Sequence, residues 1–155
     1  MGTRNILRIG HPLLRKCAKE VPYDWFGSQR LEQLIADLFD TKLAYSGAGL
    51  AAPQIAEPWR IFVIGMGHNP RYPDALPLPE RVVINPVINS IGDELSTGWE
   101  GCLSVPGLRG EVKRWQKIYL KWQDKEGAFH REEFHDFHAR VVQHEKDHLD
   151  GVLFP

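Results

Sequence analysis

The sequence has little of several features that mark special classes of protein. Only two of its 155 residues are cysteines, too few for the disulfide framework of a small secreted domain. Its apolar runs, such as residues 61–64, are far shorter than the roughly 18 residues needed to cross a bilayer. The first six residues form no secretory signal, and Ile6 stands where a myristoylation signal requires Ser or Thr. We therefore expect an intracellular protein without a membrane segment.

Neither sign of charge is in excess. The chain has 19 Lys and Arg residues against 20 Asp and Glu residues, which gives a formal net charge of −1. Dedicated nucleic-acid-binding proteins normally carry a basic excess, so we expect no direct binding to nucleic acid. No internal repeat, low-complexity tract or shift in composition divides the chain. Residues 1–155 are therefore predicted to form one domain.

The hydrophobic pattern predicts two helices with strands between them. Apolar side chains recur at helical spacing from Leu31 to Leu43, which predicts a helix over residues 28–44. A second helix is predicted over residues 136–149 and is ended by Gly151. Strands are predicted at residues 60–65, in two pieces of 81–91 broken at Asn85, at 118–122 and at 128–134, and residues 66–80 are predicted as a loop. This order indicates an α+β fold with largely antiparallel sheets packed around the C-terminal helix.

One motif indicates metal chemistry. Residues 144–148 read HEKDH, a match to H-E-x-x-H inside the second predicted helix. Because residues four apart lie about 5–6 Å from each other on one helix face, His144 and His148 can bind one metal ion. Glu145 flanks that face at the position of a general base. Phe137 and Val141 continue the face upstream and are predicted to form an apolar wall beside the metal.

A catalytic site of this kind needs a third protein ligand, whose identity the motif leaves open. Seven residues follow His148, and none of them is Glu, His or Cys. The metzincin pattern also fails, because Phe154 stands in the place of its last His. The candidates are therefore the two cysteines and the other histidines. Cys102 lies in a polar, glycine-bearing segment predicted as an exposed loop or strand edge, whereas Cys17 fits a buried structural thiol better.

Three segments together resemble the three signature motifs of the peptide deformylases. They are GAGLAAPQ at residues 47–54, EGCLS at residues 100–104 and QHEKDH at residues 143–148. They occur in the order of that family and with its approximate spacings, and the resemblance covers most of the chain. The resemblance implies that Cys102, His144 and His148 are the metal ligands and that Glu145 is the catalytic acid and base.

The same resemblance implies further site residues. Gln54 and the backbone N–H of Leu103 would hydrogen-bond the oxyanion that develops in the reaction. Gly49 would let the backbone approach the substrate closely, since glycine has no side chain. Phe137, Val141 and the apolar part of residues 47–52 would form the pocket for a methionine side chain. Arg109 matches an arginine of the family, with either a structural or a substrate-proximal role.

The implied activity is hydrolysis of the formyl group from the formyl-methionine of newly made polypeptides, with release of formate. The implied cofactor is one divalent metal ion, with Fe²⁺ native and Zn²⁺, Ni²⁺ or Co²⁺ as replacements. We expect a bacterial cytoplasmic enzyme or a mature organelle enzyme that acts on N-formyl-methionyl nascent peptides. Many members continue past the position of Pro155 with a segment that helps them dock on the ribosome, so ribosome contact is left open here, as is the oligomeric state.

A second hypothesis comes from another class of protein. In it, the chain is a non-catalytic binding domain stabilised by zinc, and a fourth protein ligand such as His138 closes the site. The sequence favours the open, catalytic site because Glu145 then has a function and no fourth ligand has motif-like spacing. His130, His135 and His138 are predicted to be polar surface instead.

Overall fold

The computed structural model describes residues 2–67 and 76–154, which form two α-helices, three short 3-10 helices and seven strands. The α-helices are α1 (Gln29–Ala44) and α2 (Asp136–Leu149). The strands are β1 (Gly49–Ala51), β2 (Ile61–Met66), β3 (Leu78–Ser90), β4 (Leu95–Cys102), β5 (Val105–Trp115), β6 (Lys117–Gln123) and β7 (Phe129–His135). They make an antiparallel five-stranded sheet in the order β1-β2-β3-β6-β7 and a separate antiparallel hairpin, β4–β5. The predicted α+β class is confirmed.

The two helices cover opposite faces of the five-stranded sheet. Along β2, Phe62 and Ile64 pack with side chains of α2, whereas Ile61 and Val63 pack with side chains of α1. A strand buried on both faces explains the continuous apolar run in the sequence. The sheet therefore forms the central layer, and α2 lies between it and the β4–β5 hairpin.

Both predicted helices are confirmed, and their ends follow ordinary capping chemistry. The Oγ of Ser28 accepts a hydrogen bond from the N–H of Leu31, which caps the start of α1. At the end of α2, Gly151 has a φ of 76°, a conformation that glycine adopts readily. One detail of α1 is wrong: Leu43, predicted on the buried face, is 69% exposed.

The prediction of two short pieces over residues 81–91 is wrong, because β3 is one long strand. Asn85 has a φ of 51°, and the register of β3 against β6 shifts between Ile84 and Val87. Asparagine tolerates this left-handed conformation, and its side chain pairs with both the N–H and the C=O of Val21. The predicted break at Asn85 is therefore a bulge in β3, and at this bulge β3 is hydrogen-bonded to Val21 in the N-terminal segment. Strand β3 also begins inside the predicted loop of residues 66–80, of which residues 68–75 lie outside the described ranges.

The β6–β7 hairpin is confirmed, whereas the β4–β5 hairpin was not predicted. Asp124 Oδ1 accepts from the N–H groups of Glu126 and Ala128, which fixes the predicted turn between β6 and β7. On β4, by contrast, Trp99 is 58% exposed and Glu100 is 4% exposed. The hairpin thus turns a polar face inward and apolar side chains outward, the reverse of the usual pattern.

Of the helices in the described residues, none is long and apolar enough to span a membrane.

Candidate active site

Helix α2 and the end of β4 bring three potential metal ligands together. His148 is 2% exposed, and its ring centroid lies 5.0 Å from that of His144. Cys102 ends β4, and its Sγ lies 3.3 Å from Nε2 of His148. The donor atoms of all three residues lie within 4.8 Å of one another. The structure therefore groups the three side chains that the resemblance implies as ligands.

The donor set fits a divalent transition-metal ion. One thiolate and two imidazoles are ligands that zinc and neighbouring metals accept. Nδ1 of His144 lies 2.9 Å from a carboxylate oxygen of Glu100, which leaves Nε2 for a metal ion. Nδ1 of His148 is buried and has no hydrogen-bond partner among the described residues. The cluster thus has the chemistry of a metal site with three protein donors.

Glu145, next to His144 on α2, carries a buried carboxyl group. Its side chain is 4% exposed, and its Oε1 has no hydrogen-bond partner within residues 2–67 and 76–154. Burial raises the pKa of Glu145 to about 7, because desolvation penalises the charged form. A carboxyl group with such a pKa can accept and return a proton near neutral pH.

Gly49 on β1 lies directly against this carboxyl group. A Cβ at position 49 would lie 2.8 Å from Oε2 and 2.9 Å from Cγ of Glu145. Carbon atoms do not approach that closely without displacement, so a side chain at position 49 would have to shift Glu145. The close approach seen in the structure is thus to Glu145, whereas the predicted approach of Gly49 to the substrate stays a prediction.

Gln54 and Leu103 lie beside Cys102. The Oε1 of Gln54 accepts from the N–H of Ala51 at 2.9 Å, and its Nε2 donates to Oγ of Ser104 at 3.0 Å. These bonds fix the amide with Nε2 3.7 Å from the sulfur of Cys102. Leu103 follows Cys102 and lines the same cleft. Both residues therefore lie at the cluster of potential ligands.

A buried carboxylate, Glu100, connects His144 to two arginines. Arg114 donates two hydrogen bonds to it, at 2.9 and 2.8 Å, and Arg140 donates one at 2.8 Å. Although burial opposes ionisation, the hydrogen bonds with Arg114 and His144 lower the pKa of Glu100 to about 2. Burial lowers the pKa of His144 in turn, but its hydrogen bonds with Cys102 and Glu100 raise it above its ordinary value. Glu100 is thus ionised and orients the His144 ring.

Glu100, Arg114 and Arg140 are site residues whose roles the motifs did not predict. Their partners lie 14 to 44 residues away along the chain, so no local pattern links them. One signal was present at Arg140, which lies one helical turn before His144 on the same face. A charged residue on a buried helix face is rare without a partner.

The cluster opens into a cleft. Phe137, Val141 and Glu145 line it from α2, and residues 47–49 line it from β1 and the segment before it. Val141 is buried and Phe137 is half-buried. The structure thus places the residues predicted for the substrate pocket next to the potential metal ligands. Arg109 lies on β5 and lines an adjoining groove that shares Cys102 and Leu103 with the cleft.

The two cysteines differ from their predicted environments in burial. Cys17, predicted as a buried thiol, is exposed. The segment around Cys102 forms edge strands and a turn, as predicted, but the Cys102 thiol itself is buried at the end of β4. Both thiols are free. His138, the proposed fourth zinc ligand, is not part of the cluster, and its Nε2 lies 3.1 Å from the carbonyl oxygen of Leu76. His130 and His135 are exposed as predicted.

Comparisons with known proteins agree on one family. Residues 3–155 match the family described as Polypeptide deformylase. Peptide deformylase 1 of Prochlorococcus marinus is 51% identical over 156 residues, covering 100% of this chain and 80% of that protein. Peptide deformylase 2 of Pseudomonas syringae pv. tomato is 47% identical, covering 98% of this chain and 85% of that protein.

Solved structures show the same similarity. The class I type b peptide deformylase from Acinetobacter baumannii, bound to Met-Ala-Ser, has a TM-score of 0.95 and 38% identity, covering 98% of this chain and 96% of that one. The peptide deformylase from Thermotoga maritima has a TM-score of 0.86 and 37% identity, covering 99% of this chain and 95% of that one. Sequence, fold and the grouping of Cys102, His144 and His148 converge, and the chain belongs to the polypeptide deformylase family.

Proposed function

We propose that this chain hydrolyses the formyl group of N-terminal formyl-methionine in newly made polypeptides, with residues 1–155 acting as one catalytic domain. The observation that carries the proposal is the buried carboxyl group of Glu145 beside the cluster of Cys102, His144 and His148 at the base of an open cleft. Family membership supports the reaction, and the cleft supports a peptide terminus as the substrate. The products are formate and a free amino terminus.

Cys102, His144 and His148 would hold one divalent metal ion. Fe²⁺ is proposed as the native ion, with Zn²⁺, Ni²⁺ or Co²⁺ as replacements, since a His₂Cys set does not select one metal by itself. When bound, such an ion lowers the pKa of water and polarises the formyl carbonyl group. Three protein donors rather than four favour a catalytic site over a closed structural one. His138 at the Leu76 carbonyl supplies no fourth ligand, so the zinc-stabilised binding domain is not supported.

Glu145 moves the proton in this proposal. Water adds to the formyl carbon, and the carboxylate of Glu145 takes the proton that the water loses. The C–N bond then breaks, and Glu145 returns the proton to the departing amine. The raised pKa of Glu145, about 7, suits both directions of transfer near neutral pH.

Gln54 and the backbone N–H of Leu103 are proposed to stabilise the oxyanion. The Gln54 amide is held by Ala51 and Ser104, so its donor group is oriented before the substrate arrives. Such preorganised donors are worth about 3–4 kcal/mol each in a comparable oxyanion hole.

The methionine side chain is proposed to lie against Phe137 and Val141 in the cleft that Gly49 also lines. Burying a methionine side chain stabilises a complex by about 1.5–3 kcal/mol, enough for preference among first residues. The Acinetobacter baumannii relative binds Met-Ala-Ser, a peptide that begins with methionine. The relatives are bacterial proteins, which supports action in a bacterial cytoplasm.

The test is formate release from a formyl-Met peptide by anaerobically prepared protein. We expect release that a chelator stops and that added Fe²⁺ restores. Glu145→Gln should keep its metal but lose about 10²–10⁴-fold in turnover, since an amide cannot accept the proton. Absence of formate release by the metal-loaded protein would refute the proposed activity. Loss of metal from Glu145→Gln would instead make Glu145 a ligand.

A further inference from the structure

The three potential metal ligands lie on two elements that belong to different parts of the fold. His144 and His148 are on α2, whereas Cys102 is the last residue of β4. In the described residues, the β4–β5 hairpin is not hydrogen-bonded as a strand to the five-stranded sheet. Side chains that hold the hairpin against α2 therefore help to set the distance between the thiol and the imidazoles, together with the hydrogen bond from Gln54 to Ser104.

Arg140 on α2 makes the most extensive of these contacts. Its guanidinium donates to the carbonyl oxygen of Ser96 on β4 at 2.7 Å and to that of Val112 on β5 at 2.7 Å. It also donates to Oγ of Ser96 at 3.1 Å and to Oε2 of Glu100 at 2.8 Å. One side chain thus fastens both strands of the hairpin to the helix that carries the histidines.

The surroundings of Arg140 leave its guanidinium little freedom. The side chain is 9% exposed, and a Cβ at Gly98 would lie 3.0 Å from its Cζ and Nε. Its partner Glu100 also contacts Nδ1 of His144 through the other carboxylate oxygen. Only the carboxylate of Glu100 therefore lies between the guanidinium and the His144 ring. Along β4, Glu100 and Gly101 lie between the guanidinium and Cys102.

We propose that Arg140 is a positioning residue that sets Cys102 against His144 and His148 and so determines how tightly the metal ion is held. The inference rests on the ligand set of the proposed function. Arg140 makes no hydrogen bond in the described residues to any of the three potential ligands; it reaches them through Glu100 and through the backbone of the hairpin. Its planar fork of donors reaches several acceptors at once, which a lysine ammonium cannot match.

The experiment compares metal affinity in Arg140→Met and Arg140→Lys with that of the original chain. Metal-stripped proteins are titrated with Co²⁺ in competition with a chromophoric chelator, and the thiolate-to-cobalt absorption band is recorded. We expect Arg140→Met to weaken Co²⁺ binding by about 10- to 100-fold, the range seen when residues that orient metal ligands are changed, and to alter the band. Arg140→Lys should recover part of the affinity, because it keeps the charge but not the fork.

Arg60→Met is the matched control. Arg60 is also largely buried and also ties α2 to another segment, since it donates to Leu149 and Ala18 carbonyls and pairs with Asp150. It does not contact the hairpin in any described interaction, so its loss should lower stability without changing Co²⁺ affinity. If Arg60→Met weakens Co²⁺ binding as much as Arg140→Met, Arg140 acts only through general stability and the inference is wrong.

Gly98→Ala keeps the test decisive if Arg140→Met does not fold. The added methyl group presses on the guanidinium while every hydrogen-bonding group stays present, so Co²⁺ binding should weaken in the same direction by less. Unchanged affinity and an unchanged band in both Arg140→Lys and Gly98→Ala would overturn the inference.

A separate pair of variants tests whether Cys102 belongs to the proposed metal ligands. Cys102→Ala should abolish tight Co²⁺ binding and Cys17→Ala should preserve it. If Cys102→Ala keeps full affinity, the proposed ligand set itself is wrong, whatever Arg140 does.

Discussion

At the scale of single residues, a side chain at position 49 would occupy the space that the Glu145 carboxyl group fills. A Cβ at position 49 would lie 2.8 Å from Oε2 of Glu145, so Gly49→Ala should push the carboxyl group out of place. Because a misplaced general base loses most of its advantage, we expect a fall in kcat of about 10²-fold. The three atoms nearest to the new methyl group all belong to Glu145 and none to a proposed metal ligand, so metal content should equal that of the original chain. The measurements are steady-state formate release and elemental analysis.

Gly67→Ala serves as the control for this substitution. No described atom lies within 4 Å of a Cβ at Gly67, and we expect normal kcat there. Normal kcat in Gly49→Ala would show that Glu145 can move without loss, which would contradict its role as the base.

At the scale of elements, the upstream part of α2 forms one wall of the cleft. Val141 lies one turn before His144 and lines the cleft together with Phe137. Val141→Trp should therefore fill the proposed methionine pocket and lower kcat/KM for formyl-Met peptides by about 10-fold or more, the equivalent of losing a buried side chain. Formyl-Ala peptides should lose less, because they use less of the pocket. Metal content should not change.

Val152→Trp adds the same bulk at a position that is 45% exposed, and both substrates should be unaffected there. Equal losses for formyl-Met and formyl-Ala peptides in Val141→Trp would mean that this face of α2 does not select the first residue.

The elements also show which part of the structure the sequence could predict. Helix α1 and strand β6 were predicted because their apolar residues repeat with the period of the element that they form, and the turn residues after β6 predicted the β6–β7 hairpin. The β4–β5 hairpin was not, because its inward face carries Glu100 and Arg114 while Trp99 points outward. Its stability depends on partners such as Arg140, far away in sequence. Cys102 is likewise far from the two histidines in sequence, so no local pattern linked them, and only the family resemblance grouped the three residues.

At the scale of the whole molecule, the buried carboxyl group of Glu145 should make the metal-free fold sensitive to pH. Its pKa is about 7 in the folded state against an ordinary 4.5, so the folded state binds this proton more tightly. The stability contributed by that proton is complete below pH 4.5 and is lost as pH rises to about 7. Relative to Glu145→Gln, the metal-free chain should therefore lose about 3 kcal/mol of unfolding free energy across this window.

Urea unfolding of both metal-free proteins between pH 4 and 8 measures this difference. Glu100, whose pKa is lowered to about 2, contributes in the opposite direction below pH 4.5 and does so in both proteins. A constant difference between the two proteins across the range would show that the folded state does not hold the Glu145 proton more tightly than the unfolded chain.

The proposed metal donors are far apart along the chain, and this makes the stability of the fold depend on metal. Cys102 and His148 are 46 residues apart, so an unfolded chain that gathered these donors would have to close a loop of that length. Such closure costs about 4 kcal/mol of chain entropy, whereas the folded chain has already closed it. Folded protein should therefore bind the ion up to roughly a thousandfold more tightly than unfolded protein. Because the ion binds the folded chain more tightly, bound metal stabilises the folded state against unfolding. A cell short of metal would therefore lose the activity of these molecules and would also lose the molecules themselves to proteolysis.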